Sequence, residues 1–590
     1  MTEQKYSDLI GAWLKEAGYT HYFYVGGGNI MHLTESLSRY LTGVPVVHEV
    51  AAGIGAEYFN EIAAPAKALA LVTAGPGLTN IVTALSGAWL ESRELLVIGG
   101  QVKTADLANG MVRSRGIQEI DGVALVESTT KEAVRMMKPM RASDFLKTIS
   151  ASWTARKGPV FLEIPLDVQA ATVPVEALPA IRPPALATLA ADELQRVVDL
   201  YNSAQRPVVL FGGGVAYQTM ADLRQALLAK GVPSMTTYNG ADRFDGDDPV
   251  YLGRPNTWGQ RSSNIIIQQA DVIIAVGTRL GMQQTGFNWQ EFGRDATIVQ
   301  IDIDKGELEK GHPRVDHRYC VDANDFVARF LAANLHAKEA WLAHAQGIRR
   351  KIPRVEDVNK TGDGYISPYD FIVRLEKLTQ ADDVVIPCSS GSAFTLSMQL
   401  YKQQFGQRIL TNKSLASMGY GLSGAVGAAI AKPDRRTILI EGDGGFAQNV
   451  QELGTVSVND CNLKIFIFHD QGHASIRMTQ RSYFNGKYLG CDRPSGLGLP
   501  TWTKLFPAWD IPVLELPLDF EDSEEFQKLM NTRGAAAFIV PIDPEQTYFP
   551  KITSRITESG SMESAPIDRM SPDLPEEWIQ SFRPAERVRT

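Results

Sequence analysis

The feature that most constrains this chain is a pair of apolar runs in its carboxyl-terminal third, each followed by an acidic turn. The first run, TILI, leads to Asp443 and the second, KIFIF, leads to Asp470, with a helix-like stretch between them. This pattern predicts neighbouring parallel strands, whose carboxyl ends form the usual ligand position in an open α/β sheet. Hard oxygen ligands suit Mg²⁺, which normally keeps substrate phosphates in its shell. The glycines of the first turn are Gly442, Gly444 and Gly445.

Composition narrows the class of protein. A chain of 590 residues is too long for one core and should form about three or four domains. The net charge of −9 argues against a nucleic-acid-binding surface. The four cysteines are widely spread and form no CxxC motif, so we expect reduced thiols in a cytoplasmic protein rather than a disulfide framework or a zinc site. The amino terminus reads as an amphipathic helix, and we expect no membrane span.

Strand-like apolar runs alternate with helical stretches along most of the chain, as in YFYVGGG, KALALVTAGPG, RPVVLFGGG and DVIIAVGTRLG. The alternation predicts an α/β protein of three consecutive doubly wound parallel-sheet domains. We expect domains at 1–172, 195–340 and 365–545, a Pro/Ala-rich linker at 173–194 and a polar connector at 341–364. A tail at 546–590 follows, and its Pro- and Ser-rich composition leaves open whether it is ordered.

Glycine turns end two further strand-like runs. Gly27 lies in the turn at 26–28, where the first strand should end, and a tight turn there also lets backbone approach a cofactor. In the middle third, the glycine turns and a basic or acidic residue at strand ends are typical of a nucleotide cradle. A purely structural role is the alternative. The residues of this second group are Gly212, Gly213, Gly214, Gly277, Arg279 and Asp302.

The order and spacing of Asp443 and Asp470 resemble the thiamine diphosphate motif, GDG followed by an Asn or Asp ligand. Glu49 follows the apolar stretch VPVV and precedes a helical pattern, where an acidic residue often serves only the helix dipole. Together with the GDG motif, it is better explained as the buried carboxyl group that thiamine enzymes place beside the cofactor's pyrimidine ring. The pKa of such a group must be set by burial and by its neighbours.

In order and over nearly the whole chain, these segments resemble the acetohydroxyacid synthase (acetolactate synthase) branch of the thiamine diphosphate enzymes. The resemblance implies a pyrimidine-binding domain, a middle FAD-binding domain and a diphosphate-binding domain, with thiamine diphosphate, Mg²⁺ and non-redox FAD as cofactors. It also implies a homodimer or homotetramer, because the family's active site forms between two subunits. The residues that match the family's site are Gly27, Glu49 and Gln118 for catalysis; Gly391, Ser392 and Met418 for the thiamine cofactor; and Asp443, Asp470 and the Gly472 carbonyl for the metal.

Three departures from the family pattern bear on the acceptor substrate. Gln283 replaces an arginine that holds an acceptor carboxylate, and the loss of a bidentate cation should weaken recognition of an acid. Thr479 replaces a tryptophan that narrows the acceptor pocket, and Asn29 adds an amide near the first glycine turn. Neutral sequence drift is an alternative explanation for each change alone, but all three together favour a bulkier acceptor without a carboxylate.

The tail and these substitutions resemble carboligases of bacterial branched-chain sugar biosynthesis of the yersiniose type. The resemblance implies an enzyme that decarboxylates pyruvate and transfers the two-carbon unit to a ketone, such as a nucleotide-linked keto-deoxysugar. An acetolactate synthase with pyruvate as both donor and acceptor is the alternative, and a pyruvate oxidase or C–C lyase a more distant one. A cofactor-binding subunit without catalysis is disfavoured by the intact Glu49 and both metal ligands.

Overall fold

The computed structural model describes residues 2–182, 185–556 and 560–583. Contacts divide the chain into two compact units, each assembled from separate stretches of sequence. The first unit comprises residues 1–184, 383–391 and 410–541, and the second comprises residues 185–382, 392–409 and 542–590. The first third and the last third of the chain therefore contribute to one unit, because the polypeptide leaves that unit and returns to it.

Residues 2–182 alternate strands with helices. The strands are β1 (Glu3–Lys5), β2 (Tyr19–Tyr24), β3 (Thr42–Pro45), β4 (Lys67–Val72), β5 (Leu95–Gln101), β6 (Glu132–Arg135), β7 (Pro159–Pro165) and β8 (Thr172–Pro174). The helices are α1 (Tyr6–Glu16), α2 (Met31–Leu37), α3 (Glu49–Ala63), α4 (Pro76–Asn80), α5 (Val82–Glu91), α6 (Gly122–Val126), α7 (Ala142–Ser150) and α8 (Leu166–Ala170).

Residues 185–382 repeat the alternation. The strands are β9 (Pro207–Phe211), β10 (Ser234–Thr236), β11 (Val272–Val276), β12 (Thr297–Asp302) and β13 (His317–Cys320). The helices are α9 (Ala191–Ser203), α10 (Tyr217–Ala229), α11 (Arg261–Gln268), α12 (Met282–Thr285), α13 (Lys305–Glu309), α14 (Ala323–Ala332), α15 (Glu339–Lys351) and α16 (Pro368–Glu376).

The rest of the chain adds a third set of strands and the tail. The strands are β14 (Val384–Ile386), β15 (Arg408–Ile409), β16 (Thr437–Gly442), β17 (Leu463–His469), β18 (Val513–Glu515), β19 (Ala536–Pro541), β20 (Ser554–Ile556) and β21 (Met562–Ser564). The helices are α17 (Gly391–Leu400), α18 (Tyr420–Ala431), α19 (Asp443–Phe446), α20 (Leu453–Val458), α21 (Ala474–Tyr483), α22 (Trp502–Leu505), α23 (Glu524–Asn531) and α24 (Glu576–Ser581).

Most strands form three parallel sheets, as the sequence predicts, and β1 with β8 and β20 with β21 form two separate antiparallel pairs. The first has the order β3-β2-β4-β5-β7-β6 and the second the order β10-β9-β11-β12-β13. In the third, the strands that belong to the first unit run in the order β14-β16-β17-β19-β18. The strands β2-β4-β5-β7-β6 of the first sheet follow the same relative order as these five strands of the third sheet. The sequence pattern did not reveal this similarity. Within the described ranges, no helix combines the length and the apolar character needed to cross a membrane.

Helices α3 and α18 pack closely within the first unit because glycines line their contact. A Cβ atom on Gly427 of α18 would lie 2.2 Å from the backbone oxygen of Gly55 on α3. A Cβ on Gly424 would lie 2.7 Å from the ring of Tyr58. Side chains at these positions are excluded, so the two helices approach each other backbone to backbone and connect the first and third sheets into one core.

A buried polar cluster reinforces the same contact. The carboxylate of Glu57 on α3 accepts hydrogen bonds from Arg93 at 2.8 Å, from the Tyr420 hydroxyl at 2.5 Å and from Asn412 at 3.2 Å. Burial raises the pKa of Glu57, and the positive charge of Arg93 opposes that rise. A carboxylate with this many partners stays satisfied away from water, which a buried charge requires.

The described part of the tail packs against the middle sheet's domain in the second unit. Ile567, Met570 and Phe582 are buried, and the first and last belong to the same apolar cluster as strand residues of β11 and β12. Arg261 donates hydrogen bonds to the backbone oxygens of Met570 at 3.0 Å and Pro572 at 2.7 Å. The composition of the tail left its order open; these residues are folded, and 557–559 and 584–590 lie outside the described residues.

The glycine contact between α3 and α18 predicts a large difference between two otherwise similar substitutions. Gly427→Ala should destabilise the protein by about 1–3 kcal/mol, because the new methyl group overlaps the backbone of Gly55. Gly347→Ala, in the middle of α15, meets no atom within 4 Å and should stabilise its helix by roughly 0.5–1 kcal/mol. Denaturant unfolding of both variants checks this. Equal midpoints for the two would contradict the proposed close approach.

Candidate active site

Two carboxylates lie together at the carboxyl ends of β16 and β17. The strands are parallel, with Gly442 opposite Phe468, so that the residues immediately beyond them meet at one edge of the sheet. Asp443 is fully buried and Asp470 is 3% exposed. The carboxylate of Asp443 accepts hydrogen bonds from the backbone nitrogens of Gly444 at 2.7 Å and Gln471 at 3.0 Å. The turn backbones therefore fix the orientation of this side chain.

The two acids repel each other. Burial and the neighbouring charge of Asp443 raise the pKa of Asp470 well above its usual range. Arg477 on α21 opposes this rise, with one guanidinium nitrogen 2.8 Å from Oδ1 and 2.6 Å from the backbone oxygen of Asp470. A divalent cation between the acids would relieve the repulsion, so the donor set fits Mg²⁺. The sequence pattern singled out both acids but not Arg477.

Two side-chain ligands alone do not complete a magnesium site. Among the residues that the structure describes, no group of three or more His, Cys, Asp or Glu side chains is arranged to hold a metal. Mg²⁺ is commonly held by one or two carboxylates together with substrate phosphates and water. The Gly472 carbonyl, in the turn after Asp470, is the residue we expect to supply a further oxygen.

The glycines of the first turn differ in what they accommodate. A Cβ on Gly444 would lie 2.1 Å from the ring of His473, and one on Gly445 would lie 3.0 Å from the carboxylate of Glu441. A Cβ on Gly442 meets no atom within 4 Å. Gly444 is therefore required by packing, whereas Gly442 leaves open space beside Asp443, as a site for a bound group needs.

Glu441, the last polar residue before this turn, was missed by the sequence analysis. It is 2% exposed, and burial raises its pKa to about 8 against the effect of the backbone hydrogen bonds from Leu422 and Gly421. Its Oε2 atom has no hydrogen-bond partner among the described residues. Glu441 thus holds the first turn of α18 beside the acidic pair. The only signal in the sequence was an acidic residue at the end of an apolar run.

The turn after β14 and the segment before α18 supply the other residues that resemble cofactor contacts. Gly391 has a φ of +73°, a backbone conformation that favours glycine, and Ser392 beside it is buried. Met418 is 38% exposed and immediately precedes Gly419, whose φ is +81°. Met418 therefore presents an apolar side chain at the surface of the first unit, where a bound ring can rest against it.

Glu49 is the first residue of α3 and is 7% exposed. Its Oε2 atom accepts a hydrogen bond from Asn80 at 2.9 Å. The two residues before it are held by Glu452, whose carboxylate accepts the backbone N–H groups of Val47 at 3.2 Å and His48 at 3.0 Å. Burial raises the pKa of Glu452, and the hydrogen bonds it accepts from Thr455, Val47 and His48 oppose that rise. Glu452 follows the turn that carries Asp443. The same segment of the chain therefore supplies Asp443 and holds the backbone immediately before Glu49.

Gln118 has a φ of +60°, which is strained for a residue other than glycine. The segment approaches Gly75 so closely that a Cβ there would lie 2.7 Å from the Gln118 backbone oxygen. The loop is fixed by Glu119, which accepts backbone hydrogen bonds from Ala108 at 2.5 Å and Arg115 at 2.7 Å. The result is an exposed amide on a loop that is held by the hydrogen bonds to Glu119, and such backbone strain is common at functional sites.

The glycine turn after β2 is also shaped by packing. A Cβ on Gly27 would lie 2.4 Å from the side chain of Thr73, which follows β4. The Thr73 hydroxyl is buried and has no hydrogen-bond partner among the described residues. The strands β2 and β4 lie where the order of the sheet reverses, the place where α/β sheets bind ligands.

The middle sheet also has closely packed glycine turns where its strand order reverses. Its order also reverses between β9 and β11, and the turns that follow these strands contact each other. A Cβ on Gly212 would lie 2.2 Å from the Gly277 oxygen, and one on Gly214 would lie 2.8 Å from the Gly277 Cα. Close packing of the two turns thus explains why these positions are glycine, and the glycine pattern alone does not require a bound nucleotide. The remaining predicted residues of this group are placed as follows: Gly213 in the same turn, Arg279 half-buried after β11 and Asp302 buried at the end of β12.

Of the three residues assigned to an acceptor pocket, two are exposed on helices. Thr479 lies on α21, where its hydroxyl donates to the Ser475 backbone oxygen at 2.9 Å. Gln283 lies on α12 in the second unit, and its backbone oxygen accepts from Thr257 at 2.9 Å. Asn29 is half-buried, and its backbone oxygen accepts from Gln169 at 2.8 Å. The Gln283 and Thr479 side chains are therefore free of the packing that would fix a structural role.

Family models match most of the chain in three blocks. The thiamine pyrophosphate enzyme N-terminal TPP binding domain matches residues 4–125, the central domain matches 194–330 and the C-terminal TPP binding domain matches 389–539. The chain belongs to the thiamine pyrophosphate enzymes, whose cofactor is also called thiamine diphosphate. The C-terminal block contains both buried acids, Asp443 and Asp470, and the N-terminal block contains Glu49.

Within this class, the chain is similar to several acetolactate synthases. The chain is 27% identical over 555 residues to the acetolactate synthase isozyme 1 large subunit of Escherichia coli (strain K12), covering 92% of this chain and 95% of that one. It is 28% identical over 547 residues to the probable acetolactate synthase large subunit of Methanocaldococcus jannaschii, covering 89% of each. It is 27% identical over 578 residues to the chloroplastic acetolactate synthase 1 of Zea mays, covering 93% and 87%.

The anchoring of the segment before Glu49 can be tested without an activity assay. Glu452→Gln replaces one acceptor oxygen by an N–H₂ group that faces the backbone donors of Val47 and His48. The loss of one buried hydrogen bond, roughly 1–1.5 kcal/mol, should speed amide exchange at these residues about tenfold. Hydrogen–deuterium exchange by mass spectrometry measures this, with Glu515→Gln at an exposed position as the control. Unchanged exchange in Glu452→Gln would contradict the anchoring role.

Proposed function

We propose that this protein is a thiamine diphosphate-dependent carboligase that decarboxylates pyruvate and transfers the two-carbon unit to a ketone acceptor. The observation that carries the proposal is the pair of buried, mutually repelling acids, Asp443 and Asp470, within a thiamine pyrophosphate binding domain. Such a pair is costly unless it holds a cation, and a magnesium-bound diphosphate is the group that this family holds there.

Each residue of the site then has a task. Asp443, Asp470 and the Gly472 carbonyl would hold Mg²⁺, while the backbone at Gly391 and the open side of Gly442 would leave room for the diphosphate. Bound thiamine diphosphate supplies the electron sink that stabilises the carbanion left when a 2-keto acid loses carbon dioxide.

The remaining residues handle the proton and the oxygen atoms. Glu49, buried and oriented by Asn80, would hold and release a proton at its carboxyl group beside the pyrimidine ring of the bound cofactor. Gln118 donates its amide N–H to oxygen atoms that gain negative charge. Met418 supports the ring system from its apolar side. Gly27 lets the first turn approach the pyrimidine.

Glu49→Gln tests the acid–base assignment. The amide cannot exchange the proton, so carbon dioxide release from pyruvate should fall by about a hundredfold or more, while the fold and the affinity for thiamine diphosphate with Mg²⁺ are retained. Release of labelled carbon dioxide measures the rate, and calorimetric titration of the cofactor measures binding. Glu61→Gln, on the last turn of the same helix, serves as the control and should keep wild-type rates. Near-normal turnover by Glu49→Gln would overturn the proposal.

The choice of a ketone acceptor rests on Gln283, Thr479 and Asn29. Gln283 offers an uncharged amide where a cation would be needed to bind the carboxylate of a second pyruvate. Thr479 is a small polar side chain on an exposed face of α21, with space around it for a bulky, hydroxyl-rich acceptor. These features favour a keto-sugar linked to a nucleotide over pyruvate. Acetolactate synthesis, the activity that the relatives' names state, is the second candidate.

A panel of acceptors distinguishes the two. Labelled pyruvate is incubated with the enzyme and with pyruvate alone, simple ketones or nucleotide-linked keto-sugars, and the products are separated. We expect transfer to a keto-sugar to exceed acetolactate formation, and Thr479→Trp to shift the ratio toward the small acceptor because it narrows the pocket. Acetolactate as the dominant product with every acceptor would establish the second candidate instead.

FAD and a homo-oligomer belong to the same proposal. The reversal of strand order between β9 and β11 supports a dinucleotide over Gly212, Gly213, Gly214, Gly277, Arg279 and Asp302, and a visible spectrum of the purified protein tests it.

Large apolar side chains are exposed near the catalytic loops of the first unit, as a surface covered by a second copy would show. These side chains include Val47, Met111, Val112, Ile117, Tyr483 and Phe484. We further propose a cytoplasmic location.

A further inference from the structure

A cavity of about 500 Å³ lies within the second unit, away from the glycine turns of the middle sheet. Its walls come from the residues before and at the start of α11, the end of α15, the end of α17 and Pro550. This volume is typical of small-molecule binding sites. None of the residues assigned above to thiamine diphosphate, FAD, metal or acceptor lines it, so the cavity needs its own explanation.

The walls of the cavity carry more positive than negative charge. Its three acidic residues are already paired: Asp247 with Lys402 at 2.9 Å, Asp248 with Arg224, and Glu356 with Arg261 at 2.9 Å. Of the remaining arginines on the wall, Arg354 pairs with Glu376 through two hydrogen bonds, at 2.7 and 2.8 Å.

Arg349 and Arg350, both at the end of α15, have no carboxylate partner among the described residues. Arg349 is half-buried and donates only to neutral oxygens, those of Tyr251, Gln346 and Gly246. Burial lowers the pKa of Arg349, and the neighbouring charges of Arg254 and Arg354 act in the same direction, whereas Tyr251 and the charge of Asp247 oppose that fall. Arg350 is exposed at the mouth. A surplus of two guanidinium groups therefore faces this space.

A third guanidinium lies directly behind the wall. Arg254 is 1% exposed, and it too has no carboxylate partner in the described part of the chain. Its donors go to the backbone oxygens of Met398 at 2.8 Å and Tyr401 at 2.5 Å and to the Gln403 side chain at 2.7 Å. A buried charge without a counter-ion is costly, and an anion in the cavity would lower that cost.

Gln403 itself points to an acceptor. It lines the cavity and is 1% exposed, and its Oε1 accepts from Arg254. Its Nε2 is buried and has no hydrogen-bond partner among the described residues. An orphan amide donor beside three guanidinium groups that have no hydrogen-bonded carboxylate favours an acceptor that carries negative charge.

We propose that this cavity binds a phosphorylated small molecule, independently of the proposed catalytic function. A phosphate monoester carries close to two negative charges and three acceptor oxygens, which matches Arg349, Arg350 and the Gln403 amide. A single carboxylate offers half that charge. The remainder of the cavity, lined by glutamine side chains and by Tyr251, accommodates the organic part of the ligand.

The experiment uses the full chain saturated with Mg²⁺, thiamine diphosphate and FAD, so that the other phosphate sites are filled. Calorimetric titration with AMP, inorganic phosphate, adenosine and citrate then reports binding at the cavity. We expect one site per chain for AMP and a weaker one for phosphate, no binding of adenosine, and weaker binding of citrate than of AMP. No AMP binding up to about 10 mM, or citrate binding as tightly as AMP, would overturn the proposal.

Variants locate the site. The double substitution Arg349→Gln with Arg350→Gln should weaken AMP binding at least tenfold, and Arg350→Gln alone, at an exposed side chain, should weaken it severalfold without disturbing the fold. Arg318→Gln, an exposed arginine on β13, is the matched control and should bind as wild type. AMP binding unchanged in Arg350→Gln and in the double variant would place the ligand elsewhere and reject the cavity.

Discussion

The repulsion between Asp443 and Asp470 is the interaction on which the catalytic unit depends. Parallel pairing of β16 and β17 forces the two carboxyl groups into one buried edge, where burial and mutual charge raise the pKa of Asp470. A fold driven by apolar burial alone would not place two acids there. The surrounding structure compensates in part: backbone N–H groups bind Asp443, and Arg477 binds Asp470. The ring of His469, with Nδ1 3.0 Å from Asp443 Oδ2, also contacts the pair, and the proposed divalent cation would relieve the repulsion that remains.

The segments around the carboxyl end of β16 also hold residues that are distant in sequence. Glu452 follows the turn that carries Asp443 and holds the backbone of Val47 and His48, the residues before Glu49. Glu441 precedes that turn and holds the start of α18, which packs on α3 through Gly427 and Gly55. The backbone immediately before the helix that carries Glu49 is thus held by two hydrogen bonds to Glu452, and the helix itself is held by close backbone contact with α18. The position of Glu49 is therefore set by the buried carboxylates of Glu441 and Glu452 rather than by flexible loops.

The parallel sheets and the acidic pair were predictable because apolar runs of strand length, ending in glycine or acid, depend only on local sequence. The hydrogen bonds that hold the starts of α3 and α18 and the two reversals of strand order were not predictable, since they depend on which elements become neighbours. Gly212, Gly214 and Gly277 illustrate the difference: the sequence pattern favoured a nucleotide, and the structure adds mutual backbone contact as a sufficient reason for all three. Glu452, Arg477 and Glu441 escaped notice because their partners are distant in sequence or provided by the backbone. The order of the tail depended on partners such as Arg261, which composition cannot show.

Arg477 also explains a departure from the family pattern. Asp470 occupies a position where asparagine is commoner, and an asparagine would coordinate metal through a neutral oxygen without adding charge. An aspartate adds a second negative charge to a buried edge that already contains Asp443, so it needs a counter-charge when the metal is absent. Arg477, itself 3% exposed, supplies one through two hydrogen bonds to Asp470. Its Nε atom has no partner among the described residues, so this guanidinium is held in place chiefly by Asp470. The aspartate and the arginine therefore form one unit, and replacement of either alone would leave the other as a buried charge without its partner.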